Sequence, residues 1–326
     1  MTITSQRQMW AYQLERPGHL VRRDVPVETD PGPGEVLIRV EAGGICGSDL
    51  PKFLTAQRSS PRDEVGPGFP LHEIAGTVMR SEDPRFQPGD AVCGCMPGQR
   101  GLAELVRVPA DTVVPVPDGL SLREAVVVQP LATVLYALDR LPDVRGRSAA
   151  VIGLGPIGLL FTHVLHQRGA RVTGIDPVDR SAVASTFGVD ELFIGSVADW
   201  VDRAGEPAEI VIEAVGHQTE TIPQAIRGTA LRGHLYAFGV PDDLEYTLPF
   251  REAFDRAITL YLGITQDWNG ALIKAAAYLA EHRDLLPPMI THVLGPDAVN
   301  DAYTLCAGAA PDRLKVIIDL ASEADR

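Results

Sequence analysis

A chain of 326 residues is long enough for roughly two domains, and 45% hydrophobic with 22% charged residues is too apolar for a disordered polymer. Lys+Arg 29 against Asp+Glu 43 leaves a formal net charge of −14, which repels phosphate backbones and anionic lipid, so neither nucleic acid nor a membrane is an expected partner. Four cysteines in this length do not make a disulfide framework and point to a reducing, cytoplasmic compartment. The opening MTITSQRQMWAYQLERPGHLVRR has no apolar block of signal-peptide length, so no export is expected. Val36 to Val40 and Thr112 to Val116 are short β-rich runs among prolines and glycines, and this portion reads as mostly β. After Pro130 strand-length apolar runs alternate with Ala/Leu-rich helical segments, the mark of βαβ units. Buried strands are expected at Ala149 to Ile152, Arg171 to Ile175, Glu191 to Ile194, Glu209 to Glu213, His234 to Phe238 and Ile258 to Leu262, forming one doubly wound parallel sheet. The uncharged stretch Ser148 to Gln167 has the length of a membrane span, but its glycines and Pro156 favour strand, turn and buried helix. A helix from Ala271 to Glu281 then leads to a tail, ending in LKVIIDL, whose texture matches the first portion.

In VIGLGPIG, Gly153, Gly155 and Gly158 fill GxGxxG between a predicted strand and a predicted helix, with Pro156 and Ile157 inside the loop. The first glycine permits the tight turn, the second the approach of a pyrophosphate, the third close packing of helix on strand. The helix N-terminus supplies N–H groups and a positive dipole to the phosphates. Asp176 follows the next strand at the spacing of a carboxylate that binds the adenosine ribose, which favours NAD and repels a 2′-phosphate. Arg180 can hydrogen-bond the same ribose or favour a 2′-phosphate. His163 and His166, on the following helix, read as packing or surface residues.

EAGGICGSDL places Cys46 in a glycine-bearing turn, and GFPLHEIAG places His72 and Glu73 in another. Thiolate, imidazole and carboxylate suit zinc with one position left open for water or substrate. On these residues alone, a buried thiol and a core histidine explain Cys46 and His72 equally well.

The segments GEVLIRVEAGGICGSDL, HEIAGTV followed by PGDAV, AELVRVP, QPLATV, VIGLGPIG, IVIEAVG and ITHVLGPDAVNDAY extend over nearly the whole chain. With them the sequence resembles the zinc-dependent medium-chain dehydrogenases of the alcohol, polyol and sugar type. The resemblance implies an α/β protein: a GroES-like β-barrel catalytic domain from residues 1–130 and 268–326, and an inserted Rossmann domain from 131–267. It implies that Cys46 and His72 bind a catalytic zinc and that Glu73 coordinates it or stands beside it. Ser48 would hydrogen-bond the substrate hydroxyl and carry its proton away, Asp49 would orient His72, and Thr133 would pack near the nicotinamide. The implied reaction is hydride transfer between a secondary alcohol of a polyol, sugar or cyclitol and NAD through an alkoxide at the zinc. The implied partners are a small alcohol or ketone and further copies of the chain, as homodimer or homotetramer. A zinc-free reductase of an activated double bond or quinone, and a non-catalytic NAD-binding protein, are the alternatives.

The departures from the family pattern carry expectations too. CGCMPGQRG replaces the lobe of four cysteines that holds a structural zinc in many relatives, and Cys93 and Cys95 alone cannot close such a site, so one zinc per chain is expected. These two, and Cys306, read as buried or turn thiols. Gln129 stands where relatives carry a glutamate or cysteine ligand, and would coordinate weakly or through water. Pro51 replaces a histidine of the outer proton relay, and Leu71 replaces the usual glycine before the histidine, which leaves the backbone there unspecified.

Overall fold

The computed structural model describes residues 8–27, 30–56, 64–203 and 206–321. The first seven residues of the stretch read for an export signal therefore lie outside the described residues. The chain divides into two compact units, one of residues 1–132, 267–308 and 315–326, the other of 133–266 and 309–314.

In the first unit, β1 (Gln8–Arg16) and β2 (His19–Pro26) form an antiparallel hairpin. Strands β3 (Glu35–Gly44), β4 (Glu73–Ser81), β5 (Ala91–Cys95), β6 (Leu105–Pro109) and β7 (Val113–Pro115) follow, as the β-rich texture predicts. Alternating burial in β6, with Val106 and Val108 inside and Arg107 outside, is the period of a strand with one wet face. Strand β3 pairs antiparallel with β4 from Val36 to Gly44, with two register shifts, and with β6 through Glu35 to Arg39. The core between these strands is built from Val36, Ile38, Val40, Ile74, Val92 and Val108.

In the second unit, β8 (Ser148–Ile152), β9 (Arg171–Asp176), β10 (Glu191–Ile194), β11 (Ala208–Glu213), β12 (Thr229–Ala237) and β13 (Thr259–Tyr261) realise the six predicted strands, but β10 and β13, at the sheet's two edges, are exposed or half-buried where burial was expected. They pair in parallel in the order β10-β9-β8-β11-β12-β13. The order reverses at β8, and in open parallel sheets ligands bind beyond the strand ends at such a switch point. Ser148 to Gln167 resolves into β8, a glycine turn and the helix Pro156–Gln167. Among the described residues no helix is long and apolar enough to cross a membrane. His163 is buried in that helix and His166 lies beside Asp190 at its outer face.

The C-terminal stretch returns to the first unit, where β14 (Ile290–Leu294) and β15 (Lys315–Asp319) join the mixed sheet. Strand β15 pairs antiparallel with β3 at Ala42 to Gly44, the segment that leads into Cys46. Residues 309–314, expected with the rest of the tail, group with the second unit, and Arg180 supplies a reason. Its Nη1 donates to the carbonyls of Ala310, Pro311 and Arg313 at 2.7, 2.8 and 3.2 Å.

Candidate metal and dinucleotide sites

At the end of β3 the chain enters a tight 3-10 turn, Gly47–Asp49, with Cys46 as its cap. Asp49 is fully buried and uses each carboxylate oxygen once: Oδ2 accepts the Cys46 N–H at 3.0 Å, and Oδ1 accepts from His72 Nδ1 at 2.9 Å. One side chain thus fixes the backbone that carries the thiol and the tautomer and tilt of the imidazole, which leaves the other ring nitrogen for Cys46 or a metal. His72 sits just before β4, and Glu73 opens that strand. The donor atoms of Cys46, His72 and Glu73 all lie within 4.8 Å of one another.

Burial opposes ionisation of the Cys46 thiol, but the hydrogen bond and charge of His72 outweigh it and hold the thiol below its ordinary value. Burial likewise opposes protonation of His72, yet the charge and hydrogen bond of Asp49, with Cys46, hold it well above the usual imidazole range. The two shifts favour a thiolate beside an imidazolium, and a divalent cation binding there would compete with the ring proton. A soft thiolate, an imidazole backed by a carboxylate and a neighbouring carboxylate fit zinc.

Leu71, where glycine is usual, is fully buried with ordinary backbone angles, its N–H bonded to Gln99 O at 2.8 Å. Its side chain occupies the space over Gly43, where any Cβ would collide with it. The missing glycine before the histidine is thus matched by a glycine across the sheet.

Lys315 was not foreseen. It opens β15, and its Nζ donates to Ile45 O at 3.0 Å and Glu73 Oε1 at 2.6 Å while also meeting Oε2. Both members of this ion pair are buried. Burial pushes the Glu73 carboxyl up against the pull of Lys315, and the Lys315 ammonium, despite burial, is held up by Glu73 and Cys46. Glu73 Oε1 is thus bonded to Lys315, whereas Oε2, close to the same ammonium, is buried without a hydrogen-bond partner, and Glu73 offers one oxygen to the cluster with Cys46 and His72. The signal available in the sequence was the cation opening the strand KVIID, whose five residues, Lys315 and Asp319 included, are all buried.

Ser48 lies in the 3-10 turn, and its carbonyl accepts from Lys52 Nζ at 2.8 Å. Pro51 occupies the first turn of the helix Leu50–Thr55, so that position offers no relay group. Gln129, in the helix Val128–Leu138, is buried, and its amide pulls the Cys95 thiol down against the larger upward push of burial. Thr133 follows one turn later in the same helix.

The glycine loop has the form its motif predicts. Gly153 takes φ +88°, which favours glycine; a Cβ on Gly155 would meet nothing within 4 Å, and one on Gly158 would strike the Gly153 carbonyl. Pro156 and Ile157 begin the helix, whose first turn offers N–H groups to an anion. The open surface over Gly155 is the cradle a pyrophosphate needs, so the loop fits a dinucleotide. Asp176 is buried at the end of β9, where Oδ2 accepts the Leu154 N–H at 2.6 Å and Oδ1 the Val178 N–H at 2.7 Å. Arg180, considered as a ribose or phosphate partner, is buried, with Nη1 committed to the carbonyls of Ala310, Pro311 and Arg313 and Nε without a hydrogen-bond partner.

Residues 32–118 match the family model of the alcohol dehydrogenase GroES-like domain and residues 156–277 that of the zinc-binding dehydrogenases. The (R,R)-butanediol dehydrogenase of Bacillus subtilis is 30% identical over 241 residues, 62% of this chain and 69% of that one. A sorbitol dehydrogenase of Bos taurus is 25% identical over 316 residues, 85% of this chain and 86% of that one. An Escherichia coli oxidoreductase/dehydrogenase of unknown specificity superposes with a TM-score of 0.83 over 97% of this chain and 100% of that one; at 23% identity, that similarity concerns the fold.

Proposed function

Because the chain belongs to the zinc-dependent medium-chain dehydrogenase family, oxidoreductases that join a GroES-like to a Rossmann domain, we propose that it oxidises a secondary alcohol of a polyol, sugar or cyclitol, or reduces the matching ketone, with NAD(H). The observation that carries this reading is the convergence of the Cys46, His72 and Glu73 donor atoms, two of them fixed by Asp49. Relatives named for butanediol and sorbitol support a substrate with vicinal hydroxyls.

Cys46 and His72 would hold one catalytic zinc, with Glu73 beside them and Gln129 as a neutral oxygen partner. When bound, that ion supplies Lewis acidity to the substrate oxygen and so eases loss of its proton. Ser48 accepts the hydroxyl proton and passes it outward. Asp49, bonded to Nδ1, keeps the imidazole aligned so that its other ring nitrogen would be presented to the metal. Lys315 holds Glu73, so that the carboxylate tunes the charge around Cys46 and His72. Gly153, Gly155 and Gly158, with Pro156 and Ile157, cradle the pyrophosphate; Asp176 takes the ribose hydroxyls and disfavours a 2′-phosphate; Thr133 packs near the nicotinamide.

Elemental analysis of untagged protein, combined with an NAD-coupled screen of secondary alcohols and ketones, tests this directly. One zinc per chain and turnover on a polyol-type alcohol are expected. Turnover of quinones or enones by metal-free protein would instead favour the double-bond reductase. NAD binding without turnover on any alcohol would favour a non-catalytic binding protein.

A further inference from the structure

Glu213 ends β11, the neighbour of β8 in the parallel sheet, and is fully buried. One of its oxygens makes all of its side-chain bonds. Oε1 accepts the Val215 N–H at 3.0 Å, the Gly216 N–H at 3.2 Å and the Thr221 hydroxyl at 2.8 Å. Oε2 is buried without a hydrogen-bond partner. The carboxylate thus ties the loop after β11 to the start of the helix Thr221–Gly228.

That loop meets the glycine turn. The Ala214 N–H donates to Ile152 O at 2.9 Å, and a Cβ on Gly153 would collide with Val215 Cγ2. Val215 is nevertheless 43% exposed, so its side chain borders the turn and still offers apolar surface. On its other side the loop is stitched to the segment after β12. The Glu213 carbonyl accepts from the Phe238 and Gly239 N–H groups at 2.9 and 3.0 Å, the His217 N–H donates to Val240 O at 2.9 Å, and His217 Nδ1 lies 2.8 Å from Asp242 Oδ1. The approach is close enough that a Cβ on Gly239 would strike Gly216 and Glu213 Oε2.

Strand order reverses at β8, and a parallel sheet receives its ligand beyond the strand ends at that point. Asp176 holds the glycine turn from the β9 side, and Glu213 holds the adjoining loop on the β11 side. We propose that Glu213 is a positioning residue for the dinucleotide, fixing Val215 beside Gly153 as an apolar wall of the cofactor cradle. Its three donors are neutral groups, so the role needs an acceptor oxygen rather than a charge. This inference rests on the dinucleotide reading of the glycine loop and deepens it.

Dissociation constants for NAD, measured by calorimetry on the full-length protein, test it without requiring turnover. Glu213→Ala removes the acceptor, Glu213→Gln keeps an oxygen for the three donors, Val215→Ala removes the wall, and the double variant Glu213→Ala with Val215→Ala closes the cycle. Val215→Ala deletes two methyl groups and should weaken NAD by about tenfold. Glu213→Ala releases the same side chain and should weaken it by about as much, with the double variant no weaker than the worse single. Glu213→Gln should stay within about threefold of the parent. In turnover the loss should fall on KM for NAD rather than on kcat. A purely structural Glu213 would lower the denaturation midpoint and leave NAD binding by the folded protein unchanged, and that result would overturn the proposal. So would single effects that add in the double variant, or NAD binding as weak in Glu213→Gln as in Glu213→Ala. Should Glu213→Ala fail to fold, judged by circular dichroism, Thr221→Val removes one donor from Oε1 and should weaken NAD by about two- to tenfold, parental affinity again overturning the proposal. A parent protein that binds no NAD fails the dinucleotide reading first, an outcome distinct from NAD binding that is indifferent to Glu213.

Discussion

Replacing Asp176 by alanine should damage stability and cofactor affinity together, because the same carboxylate holds the glycine loop. Asp176 accepts the Leu154 N–H at 2.6 Å and the Val178 N–H at 2.7 Å. Leu154 is fully buried, so its N–H would lose its partner without gaining water, at a cost of about 1–3 kcal/mol. Val178 is half-buried and its N–H can turn to solvent, which limits that loss to about 0.5–1.5 kcal/mol. The substitution also removes the anion that favours the charge of buried Arg180. Together these give a destabilisation of about 2–4 kcal/mol. NAD should bind at least about tenfold more weakly, or about 1.4 kcal/mol, through the lost ribose acceptor and the slackened turn before Gly155. Urea denaturation followed in the absence of cofactor, with NAD titration by calorimetry, measures both quantities; Asp176→Asn, which keeps one acceptor oxygen, should fall between. Weakened NAD binding at unchanged stability would refute the argument that Asp176 organises the loop.

Four further outcomes are expected. Ser48→Ala should keep zinc and NAD while kcat falls by about 10² to 10⁴, the loss typical of missing acid-base help, and a full rate on the best substrate would exclude Ser48 as the relay. Lys315→Met leaves Glu73 buried without its cation and should cost about 3–5 kcal/mol in chemical denaturation, most of it recovered when Glu73→Gln is added. Since His72 is held above its ordinary value, its contribution to the metal-free protein is fully present below the unfolded imidazole value and is lost as pH rises through the folded one, whereas zinc, which must displace that proton, should bind more tightly over the same rise. Denaturation and chelator competition at several pH values check both signs. NAD(H) should be preferred over NADP(H) by at least about tenfold, and Arg180→Ala should leave that ratio unchanged while destabilising the segment 309–314; a ratio shifted by Arg180→Ala would show that its guanidinium reaches the cofactor.

The parallel sheet could be read from the chain because each strand is an apolar β-branched run with its own boundaries, and the glycine loop because all three glycines act within one turn. Strand limits were less legible: β12 begins at Thr229, five residues before the expected His234, because its pairing with β11 includes a register shift between Ala208 and Ile210. Cys46, His72 and Glu73 carried local signals in glycine-bearing segments, although Glu73, read as lying in a turn, opens β4. Their supports carried no such signal. Glu73 and Lys315 are 242 residues apart, Gly43 makes room for Leu71 from another strand, and Cys95 reaches Glu73 only through strand register. Such partnerships exist only once distant segments pair, so a motif cannot contain them.

A coarser clue was nevertheless present wherever a charge interrupts a buried strand. Desolvating an ion is costly unless it is paired or hydrogen-bonded, so a charge retained inside such a run must have a partner. Lys315 in LKVIIDL pairs with Glu73. Asp176, at the end of VTGID, binds the N–H groups of Leu154 and Val178, and Glu213, at the end of IVIE, binds those of Val215 and Gly216 and the Thr221 hydroxyl. The two carboxylates end neighbours of β8 in the sheet, and each fixes a loop at the carboxyl edge, where a parallel sheet receives its ligand. The interrupting charges are thus the places where the fold spends burial energy to hold the loops and donors that the chemistry requires.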